Sequence, residues 1–447
     1  MKTNSDSSLI ARNTIWRLLQ LTALGLGSIV INAFLTRRLP TPDYALWVLA
    51  FSILGIFYLF ADFGLNQTMA KYTAEYSITA KDKLSALVTT GLVNLGANAL
   101  IACLSILILS PVIEHFMNQP GLTRLLIIGS IFIISRVGME MVGGILRGLH
   151  DFAIPSKISA VVTCVEIVVY YIWFSLSDIS LTAIFVVRSL FFLIQFILIY
   201  SLFYFQYARK YFSIRINLFD KEIFISIIKY CLPIGFSFLS YYLYTKVDIL
   251  ILGIFSPDEE IARYNVADLL FQLPLMGLAA YISVISPKVT NVFYAKQHER
   301  MQHIFSLSIT LVTIPMTLFT VLFFAVPEFI LNIIFPQYVS ASVLLRILAP
   351  LLILKGIGQV AAGGFLVSTG HPRILAIITA VGAVMNVIFD LLLIPPFGAE
   401  GAFVTTTVIH SLAILFSLYY ISKTLHLKIR FKKLNSSMLK SIFTVKQ

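Results

Sequence analysis

A chain of 447 residues with 58% hydrophobic side chains, a mean hydropathy of +0.91 and only 12% charged residues carries too little polar surface for a water-soluble globule. It reads as a polytopic membrane protein, all-α because a helix satisfies its own backbone hydrogen bonds inside hydrocarbon. The net charge of +12 invites a nucleic-acid partner, but the basic residues collect on one set of loops, which records membrane topology instead.

Crossing roughly 30 Å of hydrocarbon takes about 20 apolar residues. About twelve stretches meet that need: 14–35, 44–65, 84–109, 122–146, 154–176 and 181–205, then 223–252, 264–286, 304–326, 341–366, 374–394 and 399–421. Arg12 precedes the first and Arg17 lies at its start, with no small-residue cleavage site after it, so it is expected to remain as a helix. The charged segment Gln206 to Glu222 divides the chain. The expected organisation is an N-terminal six-helix lobe over 1–205, a cytoplasmic linker over 206–222, a C-terminal six-helix lobe over 223–421 and a basic cytoplasmic tail over 422–447.

With both termini cytoplasmic, the inner connections hold Lys71, Lys81, Lys83, Arg147, Lys157, Arg209, Lys210, Lys288, Lys296, Arg300 and Arg373. They also hold the tail cations Lys423, Lys428, Arg430, Lys432 and Lys433, whereas the outer ones hold little beyond Arg37, Arg38 and Arg263. The tail is also placed to touch anionic lipid. Cys103, Cys164 and Cys231 all fall inside spans with no paired spacing, which points to neither a disulfide framework nor a metal cluster. A Walker-type loop, an HExxH pair and a clustered Asp motif are all missing from the sequence, and the longest outer connection is roughly Pro327 to Ser340. The chain is therefore read as a non-enzyme without a resident cofactor.

The two halves carry related signatures. Thr41-Pro42-Asp43-Tyr44-Ala45 and Ser256-Pro257-Asp258 leading to Tyr264-Asn265-Val266-Ala267 both sit between the first and second spans of their halves. Gly143-Gly144-Ile145-Leu146 and Gly363-Gly364-Phe365-Leu366 recur in the fourth spans. Six spans per half give both the same orientation, with an axis along the membrane normal and a cavity between them. For each Gly-Gly pair, close helix packing is an equally good reading.

These residues resemble the lipid-linked oligosaccharide flippases, the Wzx-type O-antigen and polysaccharide exporters of the multidrug/oligosaccharidyl-lipid/polysaccharide (MOP) superfamily, along nearly the whole chain. The resemblance rests on Ala61-Asp62-Phe63-Gly64-Leu65 with Lys71-Tyr72, on Leu232-Pro233 and Val247-Asp248-Ile249-Leu250, and on Ser286-Pro287-Lys288. Asn386 leading to Ile394-Pro395-Pro396-Phe397-Gly398-Ala399-Glu400-Gly401 completes it. It implies two six-helix lobes around a central cavity, MATE-like, in a bacterial cytoplasmic (inner) membrane. It also implies a polyprenyl-pyrophosphate-linked oligosaccharide moved outward for O-antigen or similar lipopolysaccharide synthesis, membrane lipids as neighbours, and a polysaccharide polymerase or glycosyltransferase as partner.

Charges inside spans cost at least about 2.5–3.5 kcal/mol on insertion scales, so each needs a partner, water or ligand. Arg136, Glu140, Gly143 and Arg147 share one helix face, and the Arg136–Glu140 pair reads either as lumenal or as self-neutralising. Arg136 and Lys355, helped by Arg188 or Lys246, are the expected cations for pyrophosphate and acidic sugars. Lys229 reads as interfacial. Glu140 or Glu166 is the expected site of a coupling ion, H+ or Na+, while Asp62 and Asp248, expected at helix ends, read as ion-coupling or gating residues. Pro233 with Gly235, and Pro274 with Gly277, are expected hinges, with static kinks as the alternative. Tyr241-Tyr242-Leu243-Tyr244 suits either sugar stacking or the membrane interface. Flipping leads; an ion-coupled drug or small-molecule efflux pump of the same superfamily comes second, and a polysaccharide polymerase or ligase third.

Overall fold

The computed structural model describes residues 3–149, 151, 153–176, 180–209, 212 and 215–431; Lys210, Lys432 and Lys433 of the expected basic set lie outside them. Among the described residues every regular element is helical. The helices are α1 (Thr3–Arg38), α2 (Thr41–Asp62), α3 (Leu65–Thr79), α4 (Leu84–Met117), α5 (Leu122–Gly148), α6 (Ala153–Leu176) and α7 (Leu181–Phe203), followed by α8 (Lys221–Phe255), α9 (Asp258–Tyr294), α10 (His298–Ala325), α11 (Pro327–Ile334), α12 (Ser342–Gln359) and α13 (Pro372–Thr424). Single π-helical turns extend α7 over Tyr204–Ala208 and α12 over Val360–Leu366.

The boundaries follow local chemistry. Ser180 caps α7, its Oγ accepting the Ala183 N–H at 3.3 Å. Asp258, Glu259 and Glu260 place negative charge on the first turn of α9, where the helix dipole favours it. Asn118 closes α4 in the left-handed region at φ 51. The Pro327–Ser340 connection is not an irregular loop, because α11 and a 3-10 segment at Pro336–Ala341 fill it.

Among the described residues nine helical stretches are long and apolar enough to cross a membrane, or ten with the bent pair Asp258–Ala279 and Val284–Tyr294. As one rod the 53 residues of α13 would run about 80 Å, more than twice the hydrocarbon thickness. Gly398, at φ 55 and ψ −133, breaks it where the eleventh and twelfth spans were expected to part. Counting α13 twice and adding α1, which contains the first expected span, gives the twelve read from the sequence. Long runs of exposed apolar side chains, such as Leu100, Ile101, Leu104 and Ile108 on α4, suit lipid and not water.

The described chain forms two compact units: Met1–Tyr242 with Pro257–Ala262, and Leu243–Ser256 with Arg263–Gln447. In unit 1, α5 is the central helix, packed on α2, α3, α4 and α7, and its core includes Met69, Val88, Met141, Ile145 and Phe203. Glycines set the closest approach: a Cβ on Gly144 would stand 2.4 Å from the Asn66 carbonyl oxygen, and one on Gly148 2.7 Å from that of Ala70.

In unit 2, α12 lies between α10 and α13 over a core that includes Ile285, Phe305, Ile309, Val360 and Phe365. Arg263 draws the turns at one end together, donating to Glu400 at 2.8 Å and to the Ser340 carbonyl at 3.3 Å. Arg346 pairs with Glu328 at 2.7 Å at that end. The Glu328 carboxyl is held below its ordinary range, first by a backbone hydrogen bond and then by Arg346. At the opposite end the Thr290 hydroxyl donates to the Ser368 carbonyl at 3.1 Å.

Candidate functional site

Two buried polar clusters stand out, one in each unit. In unit 1, α2 stops at Asp62 because Phe63 and Gly64 both turn left-handed, at φ 35 and φ 85. The buried Asp62 carboxylate then accepts the Gly64 and Asn66 N–H groups at 3.2 and 3.3 Å, satisfying donors that the start of α3 would otherwise leave open. Asn66 donates its side-chain N–H to Glu140 at 2.7 Å, and Glu140 pairs with Arg136 at 3.2 Å. The Arg136 guanidinium lies 5.7 Å from the Tyr58 ring centre. A Cβ on Gly143 would stand 3.7 Å from Arg147 Nη1, so the expected face of Arg136, Glu140, Gly143 and Arg147 is present and faces polar neighbours. Asp62 also borders a cavity of about 330 Å³ whose lining includes Asn94, Asn98, Phe60, Phe63 and Phe236.

Elsewhere in unit 1, Glu166 on α6 forms an ion pair with Arg188 on α7, whose guanidinium lies 4.9 Å from the Phe192 ring. Arg188 therefore arrives with its own counter-charge, as Arg136 does.

The cluster in unit 2 is built differently. Asp248 lies inside α8, seven residues short of its end, and not at a helix end as expected from the sequence. It is 1% exposed and accepts hydrogen bonds from Tyr264 at 2.7 Å, Asn386 at 2.8 Å and Thr406 at 2.7 Å. Asn386 also donates to Asp390 at 3.0 Å, so one side-chain amide bridges two buried carboxylates. Asn386 Oδ1 has no hydrogen-bond partner, Asp390 lies beside the Asp248 carboxylate and the Thr405 hydroxyl, and neither aspartate has a cation within ion-pair distance among the described residues. A buried carboxylate without a counter-charge is costly. Oxygen donors alone, carboxylate, amide and hydroxyl, suit a proton or a hard cation and not a soft metal.

The remaining expected cations of unit 2 divide. Lys246 pairs with Asp268 at 2.5 Å, and Gln272 donates to the second Asp268 oxygen at 3.0 Å. Lys355 has no carboxylate partner among the described residues, although it lies in the field of Asp268 and Asp248. Gly356 fixes its height on α12, because a Cβ there would stand 2.8 Å from Met316 Cγ on α10. His410 completes the neighbourhood, its Nε2 lying 3.1 Å from the Tyr244 carbonyl oxygen and its ring 4.0 Å from that of Tyr244.

The expected hinge residues occupy contrasting settings. Pro233 and Gly235 lie within α8, and a Cβ on Gly235 would stand 2.4 Å from Phe63 Cδ1, so this glycine admits the break between α2 and α3. Pro274 and Gly277 lie within α9, where a Cβ on Gly277 would meet no atom within 4 Å, and the 46° bend falls after them, between Ala279 and Val284. Of the tyrosine run, Tyr242 donates to the Ser52 carbonyl at 2.5 Å, Tyr244 packs against His410 with the two rings tilted by 33°, and Tyr241 is exposed.

Asp268, Asn386 and Asp390 were not among the expected site residues. The available signal was Asn386 and Asp390 four residues apart, hence on one helix face.

Comparison with known proteins bears on the family and the fold. The description "Polysaccharide biosynthesis protein" matches over residues 10–293, and the MatE description over 233–392. A probable low-salt glycan biosynthesis flippase of Haloferax volcanii is 27% identical over 205 residues, 45% of this chain and 43% of its own length. Among solved structures, an inward-facing multidrug resistance MATE family transporter of the MOP superfamily superposes with a TM-score of 0.74 at 16% identity, covering 92% of this chain and 98% of its own. The lipid II flippase MurJ in its inward closed conformation gives 0.66 at 14% identity, covering 98% and 88%. At these identities the structural matches establish the fold. With well over half of its length matched, the chain belongs to the polysaccharide biosynthesis protein family.

Proposed function

We propose that this protein flips polyprenyl-pyrophosphate-linked oligosaccharide units from the cytoplasmic to the outer leaflet, by alternating access, for O-antigen or a similar surface polysaccharide. The observation that carries the reading is Lys355: of the four expected intramembrane cations it alone lacks a carboxylate partner among the described residues, while Arg136, Arg188 and Lys246 are paired. An unpaired ammonium inside a span is costly unless a ligand or water meets it, and a pyrophosphate is the anion such a cargo brings. The family and the flippase relative support the same cargo class.

The physics requires such a protein. A glycan headgroup entering hydrocarbon forfeits hydrogen bonds at several kcal/mol apiece, whereas the polyprenyl tail is at home there. Each negative charge carried outward gains about 2.3 kcal/mol per 100 mV when it crosses the whole field. In this reading Lys355 receives the pyrophosphate, and within the same unit the Lys246 pair opens to exchange its carboxylate for cargo oxygens. Asp248, Asp390 and Asn386 hold the coupling ion, H+ or Na+. In this reading both termini are cytoplasmic and the membrane is a bacterial inner membrane; for unit 2 the orientation is supported by Lys296, Arg300, Lys428 and Arg430 at one end, while Arg263 and Arg346 at the other are neutralised by Glu400 and Glu328. A polymerase or glycosyltransferase would receive or supply the unit. Drug efflux shares the fold, but Lys355 would repel cationic drugs.

A membrane-impermeant sugar-modifying probe tests the proposal. Depleting the protein should retain complete lipid-linked units on the cytoplasmic leaflet; their normal arrival outside, in a strain with no second flippase, would refute it.

A further inference from the structure

At the end of unit 2 where α9 gives way to α10, Lys296, Gln297, His298, Thr424 and His426 line a cavity of about 270 Å³ over a floor that includes Met301 and Leu425. The chain leaving α13 runs along this edge as Leu425-His426-Leu427-Lys428-Ile429-Arg430-Phe431, alternating apolar and basic residues. Leu425 and Leu427 are buried in the unit 2 core, while His426, Lys428 and Arg430 are exposed. His426 turns left-handed at φ 53 as the chain leaves α13, and beyond it alternation of period two lets a short segment present one apolar and one basic edge.

One side chain pins this strap. Gln302 on α10 accepts the Lys428 N–H at 2.8 Å and donates to the Lys428 carbonyl at 2.7 Å, pairing both backbone groups of one residue as a neighbouring strand would. Its amide also donates to the Ser306 hydroxyl at 2.8 Å, which fixes its orientation. The side chains of Lys296, His298, His426, Lys428 and Arg430 have no hydrogen bond or ion pair among the described residues. Glu299 is the one carboxylate on the adjoining first turn of α10, and Arg300 beside it donates to Gln297 at 3.2 Å. Ile429 and Phe431, 43% and 64% exposed, continue the apolar edge beyond the protein core. An exposed Ile and Phe flanked by cations, at the end of membrane-spanning helices, have the composition of an interfacial anchor.

We propose that the strap and the cavity form a docking site for anionic phospholipid headgroups. A lipid phosphate is held by Lys296, His298 and His426, with Lys428 and Arg430 neutralising its neighbours, and Ile429 and Phe431 enter the adjoining acyl layer. The site is separate from the cargo reading: it needs only a leaflet bearing anionic lipid at this end of the helices. Its consequence is that Gln302, an uncharged residue, controls how tightly the protein holds acidic lipid.

The test is native mass spectrometry of the full chain, scoring phosphatidylglycerol retained in competition with phosphatidylcholine. Lys296→Ala, His298→Ala and His426→Ala combined should lower retention about fivefold or more, the scale of one lost lysine near an anionic surface. Gln302→Ala should lower it as well, with all basic residues in place. Lys81→Ala with Lys83→Ala, a basic pair in unit 1, should change it little. Unchanged retention in the triple variant, or an equal loss from the Lys81 and Lys83 changes, would overturn the site in favour of a diffuse basic face. Unchanged retention in Gln302→Ala would overturn the strap. Protection by inorganic phosphate as strong as that by phosphatidylglycerol vesicles, read as a melting shift, would overturn the lipid as its source. A melting curve of each variant in neutral detergent separates loss of the site from loss of the fold.

Discussion

In unit 1 each buried carboxylate is met by donors of its own: Asp62 by two backbone N–H groups, Glu140 by Arg136 and Asn66, Glu166 by Arg188. In unit 2, Asp268 has Lys246, but Asp248 and Asp390 share the amide of Asn386, and the further donors to Asp248, Tyr264 and Thr406, are neutral, so neither acid has a cation within ion-pair distance among the described residues. Both arrangements put acid inside a membrane span, and the difference lies in what balances it. Ion pairs and caps of this kind hold backbone breaks and helix contacts in place, even though one oxygen of Glu166 stays without a partner. An under-neutralised acidic pair asks for a cation from outside, and a group that can be filled or empty is what coupling requires.

Changing the acidic pair is expected to have the largest effect. Asp390→Asn and Asp248→Asn should each lower ion-driven transport in proteoliposomes by roughly 10- to 100-fold, the scale of a coupling free energy of 1–3 kcal/mol. The parent protein should melt higher as the coupling cation is added, and both variants should lose that shift. Glu140→Gln and Glu166→Gln should keep the ion dependence, whatever they do to stability. Loss of ion dependence in Glu140→Gln with its retention in Asp390→Asn would reverse the comparison and make unit 1 the coupled unit.

The lysines of unit 2 separate cargo binding from stability. Lys355→Gln strands no carboxylate and should alter stability by less than about 1 kcal/mol, while flipping falls about tenfold or more through the loss of a charge-assisted contact to phosphate. Lys246→Gln leaves Asp268, whose side chain is 10% exposed, without its cation. It should destabilise by about 1–3 kcal/mol, less than a fully buried pair because Lys246 itself is about one-third exposed. A melting curve and a leaflet assay on the same two variants give opposite rankings if Lys355 meets the cargo and Lys246 does not.

Why the fold was legible and the acidic pair was not follows from how each is encoded. The spans are written locally, since each needs its own run of apolar residues, and Gly398 falls in the gap expected between 394 and 399, whereas α4 runs on to its cap at Asn118, well past the end expected at 109. The break at Phe63 is only half local: Gly64 permits a left-handed turn, but a phenylalanine at φ 35 is held there by Asp62 and by packing on α8, at Gly235. Asp248 lies 138 positions from Asn386, and only the packing of α8 against α13 makes them neighbours. Asp268 sits one helix beyond Lys246 and could be read as its counter-charge only after that pairing was seen. Intramembrane charges are visible in a sequence; which of them cancel is a tertiary fact.

The repeated glycines offer the finest test, because the same dipeptide does unequal work in the two units. A Cβ on Gly144 would stand 2.4 Å from the backbone oxygen of Asn66, which cannot yield without moving α3. Gly144→Ala should therefore cost about 1–3 kcal/mol as an overpacked contact, and should loosen the Asn66–Glu140 bond with it. At Gly364 the nearest atom to a new Cβ is Ile285 Cδ1 at 3.3 Å, the tip of a side chain that can turn aside. Gly364→Ala should stay within about 1 kcal/mol of the parent, the crowding set against the helix propensity gained. Gly143→Ala, whose Cβ would meet Arg147 at 3.7 Å in ordinary contact, serves as the control inside the same motif. Melting temperatures that rank Gly144→Ala well below the other two would tie the unit 1 pair to helix packing. Equal values for all three would mean that α3 can shift to admit a methyl group, and that Asn66 is not held where its bond to Glu140 requires.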